Sequence, residues 1–249
     1  MNVSREIEGV GVSLFHHLPL SAEDKAILGK LELTRRVCPA HTDIAREGDD
    51  RDRTFLVRRG WTALYRILPN GERQIIDFPV FGDLISLDGA RYGVQPSLMA
   101  ITDAIVYEIN TISLVTAAAH SRRLADLLLA ESGRQRAILV EHLFNVGRRT
   151  ALSRVAHLLL EIGARLNMVG LAGPDGYECP LTQYDLADAL GLTAIHVNRM
   201  LRELRRADLL HFHKSNVGLL DRKALSSLAG FEPSYLRRVI VQNDNQPRR

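Results

Sequence analysis

Residues 181–210, LTQYDLADALGLTAIHVNRMLRELRRADLL, constrain this chain more than any other stretch. They describe two short amphipathic helices joined by a tight turn at Gly191. Thr182 stands where a helix N-cap belongs, and Asp185 three residues on completes a box-like cap. Leu186, Ala187 and Leu190 supply a buried stripe, and Gly191 follows where a helix must stop in a left-handed conformation. Thr193 can then cap the second helix. At about 100° per residue, Ala194, Val197, Met200, Leu201 and Leu204 share one side of it. Ile195, Arg199, Arg202 and Arg206 share the other, flanked by His196 and Asn198. Guanidiniums and an amide on one face can donate to phosphates and to guanine edges. The pattern predicts a helix that enters the DNA major groove with its back against a small core. The plain alternative is a solvated cationic surface helix.

The stretch beyond Arg206 extends the motif. Residues 209–213, LLHFH, read as a short strand, residues 214–216 as a turn and 217–221 as the returning strand. A two-stranded wing after a recognition helix places Lys214 and Ser215 to touch phosphate. His211 and His213 form an HxH pair that a strand presents on one face. Cupin-type metal sites begin that way but need further ligands, and no Glu comes after it at a useful distance. Both histidines therefore read as polar wing residues, and neither metal nor cofactor is expected.

The charge distribution agrees with this placement. Residues 1–144 carry 17 Lys/Arg against 19 Asp/Glu, whereas residues 145–249 carry 15 against 10. The basic excess thus falls where phosphate would be bound. Cys38 and Cys179 stand far apart with no CxxC spacing, which argues against a disulfide framework, a zinc cluster or a cysteine-ligated iron–sulfur cluster. No apolar run reaches the ~18 residues of a membrane span, and Arg5, Glu6 and Glu8 make a poor signal peptide. A reducing cytoplasm is the expected location. At 249 residues the chain has room for two domains.

Residues 1–30 look helical in pieces, with an apolar run at 14–18 and Ser21 placed to cap a helix through 31. From about 33 to 109 the texture is β-rich, with runs at 54–57, 62–68, 74–78 and 105–109. Gly48, Gly60, Gly71 and Gly82 punctuate it at intervals of 12, 11 and 11, the rhythm of an all-β roll or barrel. Pro69-Asn70-Gly71 marks a hairpin turn. From about 112 to 144 helix formers dominate, with one apolar cluster at Leu124, Leu127 and Leu128 and another from Ile138 to Phe144. A helix this long cannot bury all its apolar surface alone, and a two-fold partner supplying the same helix would cover it. The polar stretch at 131–136 between the clusters faces either solvent or a pocket, and Gly133 within it tolerates a local bend. Residues 151–166 form another amphipathic helix with Arg148 and Arg149 at its basic start, residues 170–176 a loop, and 243–249 a disordered tail.

This order resembles the cyclic-AMP receptor protein/fumarate–nitrate regulator (CRP/FNR) family of bacterial transcription factors. The residues that carry the resemblance are Glu47-Gly48-Asp49, 55–60, Phe81-Gly82-Asp83-Leu84-Ile85, LSRVAHLLLEI at 152–162 and, most specifically, LTQYDLADALGLTAIHVNRMLREL at 181–204. The resemblance implies an α+β fold: an N-terminal antiparallel β-roll (1–110), a long dimerisation helix (111–146), a winged helix-turn-helix (147–230) and a partly disordered extension (231–249). It also implies a homodimer on pseudo-palindromic double-stranded DNA with half-sites ~34 Å apart, a contact with RNA polymerase and a small-molecule effector. The effector pocket would involve Gly82, Asp83, Leu84, Ser97, Leu98 and Arg134. DNA contacts would come from Arg148, Thr182, Thr193, Ile195, His196, Asn198, Arg199, Arg202, Lys214 and Ser215.

Departures from the family pattern narrow the expectation. Cyclic-AMP binders carry an Arg-Ser pair where this chain has Pro96-Ser97, and Arg91 sits at a different loop position, so the cyclic phosphate loses its bidentate partner. Residues 1–37 hold no cysteine for an iron–sulfur sensor, while His16, His17 and His41 leave haem ligation open. Where many relatives place a Glu before the base-reading arginine, this chain has Ile195, which offers a methyl group to thymine; Arg199 matches that arginine and should read guanine. Two other readings remain: a permanently DNA-competent regulator with a vestigial sensor, and a jelly-roll enzyme. The enzyme lacks support, because 33–110 contain one histidine, His41, and Ser86 and Ser97 have no GxSxG context.

Overall fold

The computed structural model describes residues 21–49, 52–86 and 95–237. The apolar run at 14–18, His16, His17, Arg91 and the tail at 243–249 lie outside the described residues. Helix α1 (Ala22–Leu28) starts at Ser21, whose hydroxyl accepts from the Asp24 amide at 3.0 Å while the Asp24 carboxylate accepts from the Ser21 amide. It ends three residues short of the expected 31.

Eight strands follow: β1 (Leu33–Cys38), β2 (Asp43–Ala45), β3 (Arg53–Arg59), β4 (Thr62–Ile67), β5 (Arg73–Asp77), β6 (Leu84–Ser86), β7 (Ser97–Ala100) and β8 (Ala104–Asn110). They form two four-stranded antiparallel sheets, in the orders β1-β8-β3-β6 and β2-β7-β4-β5. The roll closes over Phe55, Val57, Leu98, Ala100 and Val106, all buried between the sheets. The four periodic glycines sit at φ +93°, +84°, +88° and +85°, so the spacing marks turns that need positive φ. Gly60 is required twice over, because a Cβ there would lie 2.4 Å from the Asp103 carbonyl oxygen. In the 68–72 turn the Gly71 amide donates to the Leu68 carbonyl at 2.8 Å, and Gly71 but not Asn70 has positive φ. This is a type I turn closed by a left-handed glycine rather than a two-residue Asn-Gly turn.

The reading of one continuous helix from 112 to 144 is corrected. Helix α2 (Thr111–Ala119) stops, and α3 (Arg122–Arg148) starts afresh after Ser121. The Ser121 hydroxyl accepts from the Leu124 amide at 3.2 Å and donates to Asp24 at 2.6 Å, which makes it a cap tied to α1. Leu114, Ala118, Leu124 and Leu127 pack with Leu56, Leu84, Tyr107 and Ile109 on the outer side of the first sheet. That second covering layer is why β3 is buried on both faces.

Helix α4 (Ala151–Met168) is the hub of the C-terminal half. Around it lie β9 (Gly176–Glu178), α5 (Gln183–Leu190), α6 (Ala194–Arg206), β10 (Leu210–His213), β11 (Asn216–Leu219), α7 (Arg222–Ala229) and a 3-10 turn at Pro233–Leu236. The wing is three-stranded, in the order β10-β11-β9, where the sequence suggested two strands. One apolar cluster joins Tyr65, Ile75 and Phe78 of the roll region to Ile138 of α3, Leu159 and Leu160 of α4 and Leu186 of α5. The helix-turn-helix is therefore packed onto the roll rather than tethered to it. Arg73 reinforces that packing, its guanidinium lying 2.7 Å from Asp188 and 3.1 Å from Asp185 on α5.

Candidate nucleic-acid interface

The helix pair is built by its caps. The Thr182 hydroxyl accepts from the Asp185 amide, and the Asp185 carboxylate accepts from the Thr182 amide at 2.9 Å. Gly191 closes α5 in the left-handed region at φ 61°, ψ 41°. Thr193 caps α6 by accepting from the His196 amide at 3.2 Å. Val197, Met200 and Leu204 then bury one side of α6. On the other side Arg199, Arg202 and Arg206 are exposed, and Ile195 is 83% exposed. An aliphatic side chain held out among cations gains nothing from water, whereas a thymine methyl would cover it.

The neighbouring residues divide by what already occupies them. Thr182 is exposed, but its hydroxyl donates to Asp185 at 2.6 Å, so its first task is the cap. The Asn198 side-chain amide donates to the Gln183 side chain at 2.9 Å. Lys214 and Ser215 form the two-residue wing turn with φ of 47° and 58°. Both side chains are exposed, and their left-handed backbone costs on the order of 1 kcal/mol each. His213 is exposed beside them, while the His211 ring lies across Gly218, where a Cβ would come within 2.0 Å of it. Arg148 is exposed at the last turn of α3, not at the start of α4.

A cleft of about 470 Å³ runs between the start of α5, α6 and the wing. Gln183, Tyr184 and His213 line it with Lys214 and Ser215, and sequence reasoning did not single out the first two. Tyr184 is 73% exposed. The available signal was position: residues just inside a capped helix point away from its buried stripe, towards whatever the wing faces.

A model of the Crp-like helix-turn-helix domain matches residues 153–228. The nitrogen fixation regulation protein FixK of Bradyrhizobium diazoefficiens is 30% identical over 215 residues, spanning 84% of this chain and 88% of that protein. The chain belongs to the CRP/FNR family. It is a transcription regulator of that type, with an α+β fold. FixK of Rhizobium meliloti is 29% identical over 188 residues, covering 75% of this chain and 82% of that protein. Among solved structures, FixK2 from Bradyrhizobium japonicum superposes with a TM-score of 0.70 at 28% identity, over 80% of this chain and 98% of that one.

In this CRP/FNR regulator the six positions read as an effector pocket have the following surroundings. Leu98 is a fully buried roll-core residue, and the Ser97 hydroxyl accepts from the Glu47 amide at 3.1 Å. Leu84 is buried under α3, and Gly82 turns the chain towards β6. Arg134 on α3 is buried with Asp83 at 2.6 Å and Glu131 beside it. In the polar middle of α3, Glu131 and Arg134 are buried, while Ser132, Gly133, Arg134 and Arg136 border a cavity, the pocket-facing one of the two orientations open to it.

Glu131 and Arg134 belong to a buried chain of charges. Arg165 of α4 pairs with Asp83 at 2.7 Å and with Asp77 of β5 at 2.6 Å. Burial opposes ionisation of Asp83, but the Arg165 and Arg134 guanidiniums outweigh it and hold the carboxyl far below the usual range. On the same helix Glu161 accepts from His142 of α3 at 2.8 Å and from the Tyr235 hydroxyl at 2.6 Å. Burial works against the Glu161 charge as well, and His142 and Arg165 lower its pKa to about 2. Ligand atoms of Asp77, His142 and Glu161 lie within 4.8 Å of one another, a grouping that could hold a metal. Arg165 already supplies a cation there, 2.6 Å from Asp77 and 3.6 Å from Glu161.

Proposed function

We propose that this regulator binds pseudo-palindromic double-stranded DNA as a homodimer, with α6 of each copy in the major groove of one half-site. The observation that carries the reading is the division of α6, with Val197, Met200 and Leu204 inward and Ile195, Arg199 and Arg202 outward. Arg199 reads guanine, Ile195 meets a thymine methyl, and His196, Asn198 and Arg202 contact bases or phosphates. Thr182, Thr193, Lys214, Ser215 and Arg148 contribute sequence-independent phosphate contacts.

Dimerisation is supported by α3. Leu129, Gly133, Arg136, Val140, Leu143 and Gly147 alternate at spacings of four and three, and all six are exposed. Leu129, Val140 and Leu143 are 73%, 59% and 71% exposed. That spacing suits a coiled-coil seam, and none of the described residues covers it. RNA polymerase and a small-molecule effector are further partners on this reading. Among the described residues no helix is long and apolar enough to cross a membrane. On this reading the chain acts in the cytoplasm as a regulator and not as an enzyme, in keeping with the transcription regulators it is similar to.

Selection of bound sequences from randomised duplex DNA with the purified protein tests this. The expected product is an inverted repeat with half-sites about one helical turn apart. Recovery of unrelated sequences, or of single half-sites, would overturn the reading.

A further inference from the structure

We propose that a cavity between the middle of α3 and the C-terminal 3-10 turn binds a small multivalent anion, a phosphorylated or polycarboxylate metabolite, through Arg136 and Arg237. The cavity measures about 450 Å³, within the range of sites that hold small ligands. Its α3 side is made by Ala130, Gly133 and Ala137, three small residues on one helical face. A Cβ placed on Gly133 would meet nothing within 4 Å, so the helix surface is cut back where the cavity lies. The opposite wall is the turn bearing Tyr235 and Arg237. That wall is fixed without a ligand: Leu236 is 1% exposed, and the Tyr235 hydroxyl donates to the buried Glu161 at 2.6 Å.

The charges that border this space set the ligand class. Arg134 borders it too, but its guanidinium is committed to Asp83 and Glu131. Among the described residues, no carboxylate lies within 4.0 Å of the guanidinium of Arg136 or Arg237. Asp126, the acidic group in the lining, is 3.9 Å from Arg122. Two arginines without a carboxylate partner border one cavity, and an oxyanion with several charges can accept paired N–H bonds from such guanidiniums. Arg136 and Leu129 also lie on the proposed seam, so on the homodimer reading a second copy would form the open side of the cavity. An occupant would bridge α3 to a turn that is itself bonded through Glu161 to α4, the helix beneath the DNA-binding unit.

Isothermal titration calorimetry of the full chain with pyrophosphate and with citrate, at low ionic strength and with sucrose as the neutral blank, tests the proposal. The expected result is saturable binding of at least one polyanion. It should weaken about tenfold or more in Arg136→Gln/Arg237→Gln and in the cavity-filling Gly133→Leu. The same affinity should remain in Arg199→Ala/Arg202→Ala, which rules out polyanion bound to the DNA face. Absence of saturable binding, binding indifferent to the cavity substitutions, or binding lost with the α6 arginines would each overturn it. Sedimentation of the same samples separates the two readings. A dimer without binding refutes the cavity alone, and a monomer that binds through Arg136 and Arg237 refutes the homodimer alone. A monomer that does not bind refutes both.

Discussion

His142 should make this protein lose stability in alkali, by an amount the geometry sets. Its Nδ1 lies 2.9 Å from the Ile76 carbonyl oxygen and its Nε2 lies 2.8 Å from Glu161. Both partners are acceptors, so both ring nitrogens must carry protons, and the ring is an imidazolium. Burial opposes that charge, but the Glu161 carboxylate outweighs it and raises the pKa from 6.5 to about 9. At about 1.4 kcal/mol per unit, the shift is worth roughly 3 kcal/mol. The lowered pKa of Glu161 describes the same pair from its other member and is not added. Because the folded-state value is the higher one, the contribution is whole below pH 6.5 and fades as pH climbs through about 9.

Denaturant unfolding followed by circular dichroism, at fixed chain concentration, should show His142→Gln weaker than the unsubstituted protein by roughly 3 kcal/mol near pH 6. The two should converge at about pH 10. Cys179, whose thiol burial pushes up to about 12, also lowers stability in alkali, but equally in both proteins. Parallel stability curves across that range would refute the argument.

Three other substitutions probe the same framework. His157 is buried with neither ring nitrogen hydrogen-bonded, and burial together with Arg149 lowers its pKa to about 4. Its neutral form is the folded one, so stability should fall as pH drops from 6.5 towards about 4, and thermal melts of His157→Phe should lack that loss. Asp83→Asn leaves Arg134 and Arg165 short of a buried counter-charge and should cost about 3 kcal/mol in chemical unfolding at neutral pH. Gly163→Ala would put a Cβ 2.8 Å from the Tyr177 ring, whose hydroxyl donates to the Leu159 carbonyl, and should cost about 1–3 kcal/mol in the same measurement.

Local rules made much of the fold legible. The caps at Ser21, Thr182 and Thr193, the left-handed stop at Gly191 and the four turn glycines each depend on residues within a few positions. Strands β3, β4, β5 and β8 showed themselves, whereas β2, β6 and β7, at three or four residues, are too short to carry a period. Strand β9 is short as well, and only its pairing with β11 makes it part of the wing. The cap at Ser121 is local, made to the Leu124 amide, and only its tie to Asp24 was out of reach, being distant in sequence. The charge network was invisible for the same reason: Asp83 meets Arg134 51 residues on and Arg165 82 residues on. Hydrophobic periodicity reports which face is buried, and a buried ion pair interrupts that pattern without naming its partner. The exposed face of α6 was readable because its cations and its apolar stripe share one helical period.

The most direct test of the central claim is fluorescence anisotropy with Arg199→Ala on a selected operator and on the same duplex changed at the guanine it reads. The expected result is a loss of about 1–3 kcal/mol on the operator and a collapse of the preference between the two duplexes. Lys214→Ala should weaken both duplexes alike. An Arg199→Ala protein that still discriminates as the unsubstituted protein does would contradict the placement of α6 in the groove.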